Sequence, residues 1–196
     1  MTVIGIAGPS LVNQMGFYLI DEDGILAIKC TEATMALINL GDQVIMKGTR
    51  VHYNPEGVIG QTTLLDSVLV ENLYGGHEYS TASFDSTKTV SDLYSLSVQE
   101  DYTTKAYILD VTVEVVEAAY YTNIYLHDPE NYEKSVRLYC SSANQYAWLK
   151  QYAGQTITVE IAVCNWNYKA YYATCLLAVI NEDGSKTYNE LNYESA

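Results

Sequence analysis

The stretch Gly16–Cys30 reads GFYLIDEDGILAIKC, and the stretch Thr122–Cys140 reads TNIYLHDPENYEKSVRLYC. Phe17 begins a run that matches the run beginning at Ile124, an offset of 107 residues. The match continues downstream in two further pairs, offset by 113 and 112 residues: Gly41 with Gly154, and Leu64 with Leu176. An offset that changes by only a few residues is expected when loops differ in length between two copies of one unit. The sequence therefore predicts a duplicated fold.

The first copy has the pattern of five strands and one short helix. The predicted strands are residues 2–7, 16–20, 25–29, 43–53 and 61–71. Asp21-Glu22-Asp23-Gly24 is typical of a β-hairpin turn. A helix is predicted over residues 31–39, with Thr31 as its cap and Gly41 just beyond its end.

The second copy repeats this order of elements. Its predicted strands are residues 106–116, 124–127, 135–139, 156–163 and 171–180, with a helix over 142–152 and a short lead-in helix over 90–95. Residues 72–87 lose the periodicity, which indicates a linker, and the tail from Asn181 is expected to lie on the surface. We expect a first domain over residues 1–78, a linker over 79–87 and a second domain over 88–196.

The order of three strands, a helix and two strands is that of an OB-fold barrel. The segment GFYLIDEDG-ILAIKC, followed by a helix and LGDQVIMKGTRVHYN, resembles the bacterial OB-fold family of secreted and cell-surface multidomain proteins. The resemblance covers both copies and implies an all-β fold of two tandem five-stranded Greek-key barrels, each with a short helix between strands 3 and 4. It also implies a nucleic-acid-binding type of OB-fold, located outside the cell or on its surface. The chain is then a segment of a longer protein, with neighbouring domains as partners.

The charge of the chain is strongly negative. Ten Lys and Arg face 24 Asp and Glu, a net charge of −14 that residues 1–85 and 86–196 share equally. This charge would repel a polyanion, so it counts against tight binding of DNA or RNA. The sequence contains no run of 18 or more apolar residues, so we expect no insertion into a membrane.

The polar residues show no spacing that is typical of catalysis. The three histidines are far apart in sequence, and we expect each of them, His127 included, to be a surface residue. The four cysteines lack the spacing of a zinc site. Cys164 and Cys175 flank one hairpin, and the sequence does not decide whether a disulfide joins them. We therefore expect no enzyme activity, no metal and no cofactor.

The aromatic residues are the strongest indication of a ligand site. The chain has 19 tyrosines, of which 15 follow residue 85. An OB-fold binds its ligand on strands 2 and 3 and on the loops that join strands 1–2 and 4–5. The predicted ligand-binding residues at these places are Tyr120, Tyr121, Tyr125, Arg137, Tyr139, Trp166, Tyr168 and Lys169, together with Tyr18. Tyr18 is the repeat equivalent of Tyr125, and both are expected to point outward.

These residues indicate a non-catalytic binding module but leave its ligand open. Aromatic rings stack on the bases of single-stranded nucleic acid and equally on sugar faces, so an oligonucleotide or a glycan would fit. A protein-binding accessory module and a structural spacer are equally compatible with the sequence. The same tyrosines would also serve to pack the two domains against each other.

Overall fold

The computed structural model of the chain describes residues 1–5, 15–53, 61–75, 78–94, 104–119, 122–138, 146–168 and 171–189. Two β-sheets make up most of it, one from each half of the chain. The first sheet has five strands: β1 (Thr2–Gly5), β2 (Met15–Asp21), β3 (Gly24–Cys30), β4 (Val44–Tyr53) and β5 (Gln61–Asn72). A one-turn helix, α1 (Glu32–Met35), lies between β3 and β4.

The strands of the first sheet follow the order β1-β2-β3-β5-β4. All neighbours are antiparallel except β3 and β5, which are parallel. The two outer strands approach each other through a bridge between Thr2 and Gln43. There the N–H of Val44 donates to the carbonyl O of Met1 at 2.9 Å. The sheet therefore curves far enough for its first and last strands to touch.

Local sequence accounts for the turns of this sheet. Between β2 and β3, the N–H of Asp23 donates to Asp21 Oδ1 at 2.9 Å, and Gly24 has a φ of +128°, which only glycine adopts readily. The predicted hairpin turn is thus confirmed. The predicted helix over residues 31–39 is shorter than expected and ends at Met35, where the N–H groups of Leu37 and Ile38 donate to the carbonyl oxygens three residues earlier instead of four.

The second sheet has six strands: β6 (Lys105–Glu117), β7 (Thr122–His127), β8 (Ser135–Arg137), β9 (Thr156–Tyr168), β10 (Tyr171–Ile180) and β11 (Lys186–Tyr188). Their order is β11-β10-β9-β6-β7-β8, and all neighbours are antiparallel. A short helix, α2 (Val90–Tyr94), precedes β6, and a 3₁₀ helix (Ala147–Tyr152) precedes β9.

The all-β prediction is confirmed, while two details of the second half differ from expectation. The described part of the predicted helix over 142–152 is 3₁₀ rather than α-helical, and residues 142–145 lie outside the described residues. The tail from Asn181 contributes the sixth strand, β11, instead of lying wholly on the surface. As described, both sheets are open, so barrel closure is not established.

The two halves pack against each other through an apolar interface of their own. One side of it is formed by Ile4, Tyr18, Ile20 and Ala27 of the first sheet, and the other by Ala106, Ala162, Cys175 and Leu177 of the second. Phe84 completes this cluster from the segment predicted as a linker. In the same segment, the N–H of Asp85 donates to the carbonyl O of Ala106 at 3.0 Å. Part of the connecting segment is therefore built into the interface.

Strand register bears on the disulfide that the sequence left open. On the β9–β10 hairpin, Cys175 lies opposite Ala162, and Cys164 lies opposite Ala173. Cys175 is a buried thiol. The two cysteines thus occupy different rows of the ladder, and no bridge joins them.

Candidate functional site

Strand alternation defines an outward surface on the second sheet, which we call the β6–β8 outer face: Thr112, Glu114, Tyr125, His127, Ser135 and Arg137. Their neighbours Val113, Ile124, Leu126 and Val136 are buried in the core, so these six residues point the other way. The register places Glu114, Tyr125 and Arg137 in one row across the three strands. Thr112, His127 and Ser135 form the next row.

His127 is held by two hydrogen bonds on this face. Its Nδ1 lies 2.6 Å from the carbonyl O of Tyr132, and its Nε2 lies 2.8 Å from Oε2 of Glu114. The two contacts hold the ring by both of its nitrogens, one to the β7–β8 loop and the other to β6.

Tyr132 covers the ring of His127. The two ring centroids are 3.8 Å apart with an angle of 1° between the planes, a stacked arrangement. Since Tyr132 belongs to the loop that joins β7 and β8, the stack and the hydrogen bond hold this loop against the sheet. Its side chain is 53% exposed, so an aromatic platform borders the β6–β8 outer face.

Asp128 fastens the same loop to α2. Its Oδ2 accepts the N–H of Ser91, and its Oδ1 accepts the N–H of Glu130, both at 2.9 Å. Burial alone would raise the pKa of the Asp128 carboxyl, but the hydrogen bonds from Ser91 and Glu130 outweigh it and hold the pKa below its usual range. A cation–π contact of 4.2 Å between Lys134 Nζ and the Tyr94 ring adds a second link to α2.

An open cavity of about 490 Å³ adjoins this loop, lined by polar side chains and by Ile108, Leu109 and Pro129. Its hydroxyl groups come from Ser86, Thr87, Thr89, Thr156 and Thr158. Its charged groups are Asp110, Asp128, Glu130 and Lys88, three acids against one base. Asp110 accepts a hydrogen bond from the Thr158 hydroxyl at 2.6 Å. Such a wall offers mostly hydrogen-bond acceptors and hydroxyls, and its net negative charge disfavours phosphate groups.

Of the predicted ligand-binding residues, Tyr125 and Arg137 are brought together as register partners on β7 and β8. Tyr18 is not exposed to a ligand in the described structure. Tyr18 does point away from the core of its own sheet, but the second half covers that side, and only 3% of the residue is exposed.

The remaining predicted residues stay predictions. Tyr120, Tyr121, Tyr139 and Lys169 lie outside the described residues. Only the backbone is described for Trp166 and Tyr168, and both belong to β9 rather than to the loop expected there, because β9 extends to Tyr168 and β10 begins at Tyr171.

Sequence reasoning misses two members of this site. His127 is expected on the surface, but it is only 7% exposed because Tyr132 covers it and Glu114 binds it. Glu114 precedes His127 by 13 residues, and only the pairing of β6 with β7 reveals their contact. The sequence offers one indication of this contact: the alternation along two consecutive predicted strands puts Glu114 and Tyr125 on the outward side of each.

A second polar cluster joins the connecting segment to the second sheet. Glu160 is fully buried, accepts a hydrogen bond from the Tyr79 hydroxyl at 2.9 Å and forms an ion pair of 2.6 Å with Lys186. Burial, and then the Glu160 carboxylate, raise the pKa of Tyr79 far above its usual value. A buried carboxylate is tolerated only with such partners, so the cluster fixes Tyr79 of the connecting segment to β9.

The part of the chain that the structure describes contains no group of three His, Cys, Asp or Glu residues placed to hold a metal ion. Among the described helices, none is long and apolar enough to cross a membrane. No protein-family model, curated protein sequence or solved structure matches the chain.

Proposed function

We propose that each half of the chain is an OB-type barrel. When the strands of each half are numbered 1 to 5, the first sheet has the order 1-2-3-5-4, and the second has 5-4-1-2-3 before β11 is added. When the first and last strands of each order are joined, both orders give the same ring of five strands. This ring is open between strands 4 and 1 in the first half and between strands 3 and 5 in the second. The bridge between Thr2 and Gln43 spans the first opening, and β8 and β10 are in contact across the second.

We infer that the chain is a non-catalytic binding module with its ligand site on the β6–β8 outer face. An OB-fold binds ligands on strands 2 and 3, which correspond to β2–β3 and β7–β8. In the first half this side carries Tyr18 and Ala27, and the second half covers it. In the second half it carries the half-buried row of Glu114, Tyr125 and Arg137. This difference between the halves is the observation that carries the proposal.

The chemistry of this face favours a glycan as the ligand. The Tyr125 and Tyr132 rings offer apolar surfaces for sugar rings. Glu114 supplies acceptor oxygens, and Arg137 on the other side of Tyr125 supplies donors, a combination that suits neutral hydroxyl groups. The hydroxyl-lined cavity continues this chemistry beyond the β7–β8 loop.

A single-stranded oligonucleotide is the second candidate. Arg137 and Lys134 would contact phosphates, and Tyr125 would stack on a base. The −14 charge of the chain opposes this ligand. On the family resemblance alone, we also propose that the module works outside the cell or at its surface, as part of a longer protein with neighbouring domains.

A glycan array, followed by calorimetry with the best oligosaccharide, tests the proposal. Tyr125→Ala should weaken binding at least about fivefold, since stacking on one ring contributes roughly 1–3 kcal/mol. Tyr74→Ala is the matched control, because Tyr74 is an exposed tyrosine of the first half. Binding that survives Tyr125→Ala would overturn the site. Binding of oligonucleotides alone, weakening steeply with salt, would select the second candidate.

A further inference from the structure

An uncovered apolar surface lies on the outer side of the β4–β5 hairpin. We call it the β4–β5 outer patch: Ile45, Val68, Val70 and Leu73, which are 50, 53, 60 and 57% exposed. Single exposed apolar residues are common on protein surfaces, but a contiguous group marks a contact surface. Three such residues on the two strands, with Leu73 directly after β5, therefore indicate a contact surface.

The strand register makes this patch contiguous and gives it two charged ends. Lys47 pairs with Val68 at one end, and Ile45 pairs with Glu71 at the other. A bulge between these pairs places Val70 beside Ile45. Lys47 and Glu71 are both exposed. The patch is thus an apolar strip with a positive charge near one end and a negative charge near the other.

The equivalent hairpin of the second half, β9–β10, uses the same outer side for a contact with the first half. On the β9–β10 hairpin, Ala162 and Leu177 point away from the core of their sheet and are fully buried under the first half. The outer side of the hairpin is therefore a docking surface in the second half. In the first half the corresponding hairpin presents apolar side chains that nothing in the described chain covers.

Pairing of two copies through the outer edge of β4 is disfavoured. β4 is the last strand of its sheet, and two copies could join antiparallel along this edge. Near its middle, however, β4 carries Lys47 and Arg50, which would meet the same charges of the other copy. Like charges on facing strands are destabilising. Contact is therefore expected through the apolar face and not through the edge.

We propose that the β4–β5 outer patch is the contact surface of a homodimer. A two-fold axis that lies in the plane of the patch, along the diagonal from Ile45 to Val68, lays each of these two residues on the same residue of the other copy. The rotation also brings the Lys47 end of each copy over the Glu71 end of its partner. The surface is thus self-complementary in charge as well as apolar, which is what an isologous contact requires. The dimer does not depend on the ligand proposed above.

Sedimentation equilibrium of the full chain tests the dimer. Because the patch is small, we expect a weak dimer, and the experiment should span about 1 µM to about 1 mM protein. Val70→Glu should raise the dissociation constant at least about tenfold, the loss expected for charge buried in an apolar contact. Val116→Glu, on an exposed valine of the second half, is the matched control and should leave it unchanged. A native chain that stays monomeric throughout, or a dimer indifferent to Val70→Glu, would overturn the proposal.

Charge exchange gives a second and sharper test. Lys47→Glu and Glu71→Lys should each weaken self-association, since each places like charges together at both ends of the patch. An equimolar mixture of the two variants should form a heterodimer, because every contact then joins opposite charges. If the mixture associates no better than the separate variants, the two-fold arrangement is wrong.

Discussion

Asp128 and Ser91 are joined by a hydrogen bond that connects two parts of the second half far apart in sequence. The N–H of Ser91, in α2, donates to Oδ2 of Asp128, in the β7–β8 loop, at 2.9 Å. Asp128 also accepts the N–H of Glu130 and is 4% exposed. One buried carboxylate thus fixes the position of both the loop and α2, and Asp128 also lines the adjoining cavity.

Asp128→Asn should lower the free energy of unfolding by about 1.5–3 kcal/mol at pH 7, the range for hydrogen bonds to a charged group. The amide replaces one acceptor oxygen by a donor that faces an N–H. Urea unfolding measures the change. Asp23→Asn, in the exposed β2–β3 turn, is the control and should stay within about 0.5 kcal/mol of the native chain. Equal losses for both variants would contradict the role of Asp128.

The stabilisation by Asp128 should disappear in acid. The folded-state pKa of Asp128 lies below the value of 3.8 of an unperturbed aspartate. Its carboxylate therefore contributes stability above that value, and the contribution is lost as the pH falls through the folded-state pKa. The stability difference between the native chain and Asp128→Asn should be constant at neutral pH and shrink in acid. A difference that grows below pH 4 would have the wrong sign.

The strands are the part of this fold that the sequence predicts best, because the alternation of apolar and polar residues along a strand can be recognised in one sequence. The predicted and observed bounds of β10 coincide, and those of β5 differ by one residue. β11 has only three residues, too few to show a period. The pairing of Glu114 with His127 is not accessible either, because it depends on which strands are neighbours. Alternation correctly places Tyr18 outward, but the other half covers it, which the pattern of one strand cannot reveal.

His127 and Glu114 should stabilise the chain as a pair. His127→Phe keeps the stack with Tyr132 but removes both hydrogen bonds, and we expect a loss of about 1–3 kcal/mol. Glu114→Gln should cost less in the His127→Phe background than alone, which a double-mutant cycle by urea unfolding measures. Glu117→Gln, which breaks an exposed ion pair with Lys150, is the control and should have no measurable effect. Additive effects of the first two variants would show that the pair is not coupled.

The interface between the halves should make them unfold together. Leu177 is fully buried in this interface, and Leu177→Ala should cost about 2–5 kcal/mol, the range for such a truncation in a core. The native chain should show one calorimetric transition, and the variant should show two or a broadened one. Leu37→Ala, at an exposed leucine, is the control. Two transitions in the native chain would mean that the interface couples the halves only weakly.

Tyr79 should be essential to the buried cluster around Glu160. Tyr79→Phe removes the only hydroxyl that donates to Glu160 Oε2 among the described residues and leaves a buried carboxylate oxygen without it. We expect a loss of about 1–3 kcal/mol, compared with no change for Tyr74→Phe on the surface. In the native chain, the Tyr79 hydroxyl should also stay protonated in alkaline solution until the protein unfolds, since burial and the Glu160 carboxylate both raise its pKa. Ultraviolet difference spectra of the native chain against Tyr79→Phe measure this. A tyrosinate signal that the variant lacks, seen before unfolding, would place Tyr79 in contact with solvent.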